Sequence, residues 1–149
     1  MKALIFSSTL VLTLFANTII GQDIPQSQVP SIILNHFQQS FPKAFHVEWE
    51  MQGDIYDVDF ETGLLGLDHE VWYDKTGKLV RHKEEISKSD LPKKVTAKIK
   101  SDYKGYRVDD VKKITESDKV FYTLELHSLT KEWKVAFDPE GNILSQFAD

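Results

Sequence analysis

A chain of 149 residues with no cysteine is denied disulfides, thiolate nucleophiles, cysteine-ligated metals and lipidation at a lipobox. Its formal net charge of −5 comes with no basic stripe, which argues against nucleic acid and anionic lipid as ligands, since both are held by clustered Lys and Arg. The charge is uneven: Gln22–Ser89 carries 12 Asp and Glu against 6 Lys and Arg, whereas Asp90–Asp149 carries 11 of each.

The first residues place Lys2 ahead of an apolar run from Ala3 to Phe15 that ends in small and polar residues. This predicts a secretory signal peptide over residues 1–21, cut after Gly21, because the run is shorter than the roughly 20 residues that span a bilayer. The remaining residues 22–149 have the length of one domain, and no later run reaches transmembrane length, so no membrane insertion is expected after cleavage. The expected destination is the periplasm or the medium.

Gln22–Gln28 is polar, carries Pro25 and reads as a leader. Val29, Ile33, Phe37 and Phe41 then recur at helical spacing, predicting a helix over Pro30–Ser40 with the proline in its first turn. Alternating segments follow. Val47, Trp49 and Met51 interleave with Glu48 and Glu50; Tyr56, Val58 and Phe60 with Asp57, Asp59 and Glu61; Leu67, His69, Val71 and Tyr73 with Asp68, Glu70 and Trp72. A turn at Asp74–Gly77 leads to a last strand from Lys78 to about Lys83.

The scheme is then written again. Leu91, Val95, Ile99 and Tyr103 repeat the helix stripe at an offset of 62, and the turn at Asp138–Gly141 repeats Asp74–Gly77 at an offset of 64. Pro92 opens the second helix, with Ser89 or Asp90 as its expected cap. Tyr122, Leu124 and Leu126, then Trp133, Val135 and Phe137, then Ile143 onward mark strands, while the segment near Val108–Ile114 alternates poorly and its faces cannot be assigned. The pattern predicts an α+β fold, a tandem repeat (about 25–89 and 90–149) of a helix plus a four-stranded antiparallel sheet, with about eight strands and two helices in all.

Val29-Pro30, Phe37, Phe41-Pro42-Lys43-Ala44, Val47-Glu48-Trp49, Tyr56-Asp57-Val58-Asp59-Phe60 and Tyr73-Asp74-Lys75-Thr76-Gly77 together resemble the beta-lactamase-inhibitor-like, PepSY-like family of bacterial exported proteins. The second copy keeps Leu91-Pro92, Val95, Tyr103, Tyr122, Leu124 and the Asp138–Gly141 turn, but has Tyr103-Lys104-Gly105-Tyr106 in place of Phe-Pro-x-Ala. The resemblance implies a fold similar to the beta-lactamase inhibitor protein, an exported location and no established catalysis. Inhibition belongs to the family's name as a likeness of fold, and fold does not carry function with it.

The expected site is the outward face of the first copy: Glu48, Glu50, Asp57, Asp59, Glu61, Asp68, Glu70 and Trp72. An acidic sheet face with an aromatic anchor suits a basic protein or peptide of the envelope. An ordinary solvated face would show the same alternation, and Trp72 is what argues beyond it, because its second-copy counterpart is Ala136. Calcium is the alternative ligand, disfavoured by the roughly 7 Å between like-facing carboxylates on one strand and by the lack of an Asp-x-Asp-x-Asp-Gly loop. A small cationic ligand or a purely structural envelope role complete the alternatives. The five histidines do not assemble into a site by spacing: His36 sits on the first helix, His46 precedes a strand, His69 faces the core, His82 stands near Glu85, and His127 ends a strand. No Gly-x-Ser-x-Gly elbow, zinc-hydrolase motif or phosphate loop is present, so no catalysis, metal or cofactor is expected. Partner identity and oligomeric state are not legible.

Overall fold

The computed structural model describes residues 21–148; the expected signal peptide lies almost wholly outside them. Nine antiparallel strands are hydrogen-bonded in chain order: β1 (Gln22–Asp23), β2 (Phe45–Gln52), β3 (Ile55–Thr62), β4 (Leu67–Asp74), β5 (Leu79–Glu85), β6 (Arg107–Glu116), β7 (Lys119–His127), β8 (Glu132–Phe137) and β9 (Ile143–Ala148). Helix α1 (Ser31–Ser40) precedes β2 and helix α2 (Lys93–Asp102) precedes β6. Among the described residues no helix is long and apolar enough to cross a membrane.

The chain divides into two compact units, which are taken separately. In the first, comprising residues 21–87 with 112–120, Ile33 and Phe37 of α1 are buried against Trp49, Val58, Phe60, Val71 and Tyr73. The Phe37 ring meets Trp49 and Phe60 edge-on at 5.3 and 5.1 Å, an arrangement favoured by the ring quadrupoles. Burying one face of each strand in this way leaves the alternate residues on the other face. In the second unit, comprising 88–111 with 121 onward, Val95 and Ile99 of α2 are buried, as are Leu124, Leu126, Val135 and Phe137.

The same backbone devices recur in both units. Asp74 Oδ1 accepts from the Thr76 and Lys78 N–H groups, and Asp138 Oδ1 from those of Glu140 and Asn142. Such side-chain bonding two residues on is what makes aspartate a turn former. Gly77 and Gly141 follow at φ +85°, in the left-handed region that glycine alone enters freely.

Three expectations change. Gln22–Gln28 is not a free leader: Gln22 and Asp23 pair with Met51 and Glu50, Ile24 donates its N–H to the Trp49 carbonyl at 2.9 Å, and Gln26–Gln28 form a 3-10 turn. Two residues are too short a strand for alternation to reveal, so the count is nine strands rather than about eight. Neither Ser89 nor Asp90 caps α2; Lys88–Asp90 form a 3-10 turn and Pro92 occupies the N-cap, as Pro30 does for α1. The faces of β6 are hidden from sequence by Asp110, whose φ of +48° breaks the pleat; His46, 64 residues earlier, has φ +52° beside the register shift in β2.

Candidate functional site

Register sets the site. Across β2, β3, β4 and β5 one rung reads Glu48, Asp59, Glu70, Lys83, and the next reads Glu50, Asp57, Trp72, Arg81. All eight residues expected from alternation therefore lie on one face, with Glu61 opposite Asp68 on the rung beyond. Like charges directly opposite each other are unfavourable, so a face that stacks three carboxylates on one rung carries an electrostatic cost.

That cost appears in the protonation of the two central aspartates. Burial, then the charge of Glu70, with Asp59 and Glu50 adding to it, raises Asp57 from 3.8 to about 8. Burial and Glu70 also raise Asp59 to about 6, against the opposing pull of Lys83. At neutral pH the Asp57 carboxyl is mainly protonated, and its Oδ1 is buried without a hydrogen-bond partner. Lys83 forms an ion pair with Glu70.

Glu48, Asp59, Glu61, Asp68 and Glu70 line an open concavity of about 430 Å³, edged by the cations Lys83 and Lys112. Glu50, Asp57 and Trp72 are not among its lining residues; they occupy the adjacent rung. Trp72 is only half-buried, and its ring is not bare: the Arg81 guanidinium stands 4.9 Å and the Lys83 ammonium 5.9 Å from its centroid. A partner would meet the cations first and the indole through them.

The structure also assembles side chains that spacing did not bring together. On the helix-facing side, His69 Nδ1 lies 3.0 Å from His82 Nε2, and His69 Nε2 lies 2.7 Å from Thr62 Oγ1. Phe60 stacks on His69 at 4.9 Å and the Phe41 ring stands edge-on to His82 at 5.4 Å. Glu84 completes the group and receives Lys113 Nζ at 3.1 Å. Burial lowers the pKa of both imidazoles, with Glu84 opposing, so both are neutral at pH 7. The turn at Asp74–Gly77 alone would pair position 69 with 83 and turn His82 to the other face; the one-residue register shift between Trp72 and Tyr73 brings His82 to the face of His69. In the second unit His127 stands between carboxylates, Nε2 at 3.3 Å from Glu125 and Nδ1 at 3.3 Å from Glu132. His36 ties α1 to the turn, its Nδ1 lying 2.6 Å from the Gly77 carbonyl.

These features define an α+β antiparallel-sheet protein with a charged open groove. The chain belongs to the family described as "Putative beta-lactamase-inhibitor-like, PepSY-like", whose model matches residues 18–81 and again 54–145. Among solved structures it is similar to a BLIP-like protein from Bacteroides fragilis, at 22% identity and TM-score 0.65 over 84% of this chain and 87% of that one. It is also similar to a DUF2874 family protein from Bacteroides ovatus (20%, TM-score 0.65, 80% and 86% covered). A third, described as a putative periplasmic protein from Bacteroides eggerthii, aligns at 17% identity with TM-score 0.68 over 80% and 88%. At these identities the likeness is one of fold. No curated protein matches the chain in sequence.

Proposed function

We propose that this is an exported, non-catalytic interaction module of the cell envelope that binds a cationic segment of an envelope protein or peptide on the outer sheet face of its first unit. The observation that carries the reading is the concavity lined by five of the seven expected acidic residues, with Trp72 on the next rung. The groove offers carboxylates without a positioned nucleophile, which suits binding more than chemistry. The family's inhibitor-like description and a structural relative described as a putative periplasmic protein support the exported binding role.

A lysine or arginine entering the groove would replace the unfavourable carboxylate pairing by an ion pair and draw the proton off Asp59. Binding would release protons, and affinity would rise with pH through about 6.

Affinity capture from envelope extract tests the proposal, with wild type beside a Trp72→Ala, Glu70→Lys, Asp59→Lys variant of unchanged circular dichroism. The expected result is a partner retained by wild type and lost by the variant. A partner retained equally by both would overturn the assignment to this face.

A further inference from the structure

The His69, His82 and Glu84 cluster brings three ligand-type side chains together on one face. His127 in the second unit stands between carboxylates. His69 and His82 instead share a 3.0 Å hydrogen bond between ring nitrogens, with Glu84 beside them. The strand scheme does not demand them. Strand register places Trp133, Gln146 and Ala148 at the corresponding positions of β8 and β9, and Leu126 where Phe60 stands.

We propose that His69 Nδ1, His82 Nε2 and a Glu84 carboxylate oxygen form a binding site for a divalent transition metal of the zinc class. Two nitrogens on one zinc, each about 2.0–2.1 Å from it at the tetrahedral angle, lie about 3.3 Å apart. The observed separation is 3.0 Å, so an opening of a few tenths of an ångström suffices. The nearest ligand atoms of all three residues fall within 4.8 Å of one another. Two imidazoles and one carboxylate are a zinc donor set that leaves a fourth position for water or a further ligand.

The surroundings match what such a site needs. Thr62 Oγ1 would accept from His69 Nε2–H in the metal-bound state, which fixes the tautomer and leaves the Nδ1 lone pair available to the ion. Phe60 and Phe41 hold the two rings in place. On binding, the hydrogen between the imidazoles leaves the shared position: His82 gives up its Nε2 proton and takes one from solvent at Nδ1, so that both rings stay neutral and both facing nitrogens are open to the metal. Glu84 exchanges its contact with Lys113 for the metal.

Isothermal titration of Zn²⁺ into the chain from Gln22 to Asp149, with Co²⁺ absorbance as a second readout, decides the matter. The expected result is one equivalent bound, with visible cobalt bands of a four-coordinate site. His82→Gln and Glu84→Ala install the residues found at the corresponding second-unit positions and should keep the fold, with unchanged melting temperature in the absence of metal. Each is expected to weaken binding by at least about 10–100-fold, while His46→Gln and His127→Gln leave it intact. Absence of both heat and cobalt bands in wild type would overturn the proposal, as would binding unaffected by Glu84→Ala and His82→Gln, or binding abolished by His127→Gln. Because the Glu84 carboxylate still reaches solvent beside Lys113 near the end of its strand, its variant keeps the test valid even if His82→Gln is poorly folded.

Discussion

The two units use one set of backbone devices and two different surface chemistries. The rung Asp59, Glu70, Lys83 of the first unit corresponds to Glu125, Lys134, Phe147 of the second, and the rung Asp57, Trp72, Arg81 to Thr123, Ala136, Ser145. Where the first unit sets carboxylate against carboxylate, the second sets Glu125 against Lys134, 3.8 Å apart. The turn aspartates, the glycines at φ +85° and the buried helix residues are retained in both, because those positions answer to the backbone and the core. Positions on the open face are free of that demand. An unfavourable charge arrangement present in one unit and absent from the other is not something the shared backbone requires, and the proposed ligand would give it a use.

The largest effect that sharpens the comparison is in the core of each unit. Ile33→Ala in α1 should cost about 2–5 kcal/mol, and Val95→Ala at the corresponding position of α2 somewhat less because fewer carbons are removed; chemical denaturation measures both. Next come the turn glycines. A Cβ on Gly141 would stand 2.7 Å from the Lys94 backbone oxygen, whereas on Gly77 it would meet the side chains of His36 and Ile32 at 3.0–3.1 Å. Gly141→Ala should thus destabilise more than Gly77→Ala, each by at least the roughly 1–2 kcal/mol of a non-glycine residue in the left-handed region.

The pH dependence separates the units more finely. The folded chain holds protons on Asp57 and Asp59 that the unfolded chain, with pKa near 3.8, releases. Their contribution to stability is full below about pH 4 and is lost as pH rises through about 6 and then about 8. His69 and His82 run the other way: with pKa lowered by burial, their contribution is present above about 6.5 and lost as pH falls through the lowered values. Asp57→Asn should stabilise the fold relative to wild type increasingly from pH 5 to pH 9, by on the order of 1 kcal/mol at the alkaline end after discounting for partial exposure, read as a rising difference in melting temperature. Thr123→Ala, at the matching second-unit position, should show no such trend in the same scans. The smallest effect is Tyr73→Phe: the hydroxyl is buried without a hydrogen-bond partner, so its removal should change stability by less than about 0.5 kcal/mol.

Much of this was legible because period and turn chemistry are local. The stripe Val29, Ile33, Phe37 gave α1 to within a residue, and the alternation of β3 and β4 placed Asp57, Asp59, Glu70 and Trp72 on one face. What escaped depends on pairing between strands. β1 is too short to alternate, and left-handed residues at His46 and Asp110 interrupt the pleat without a glycine to announce them. The covering of Trp72 by Arg81 and Lys83, and the meeting of His69 with His82, both require the β4 and β5 register, which shifts by one residue between Trp72 and Tyr73.

Carboxylate footprinting tests the central claim most directly. Carbodiimide labelling of the chain, free and with envelope extract, should show protection of Glu48, Asp59, Glu61, Asp68 and Glu70 in the presence of extract, while Asp138 and Glu140 stay unchanged. Equal labelling of the first-unit face in both conditions, or protection confined to Asp138 and Glu140, would contradict the assignment of the binding surface.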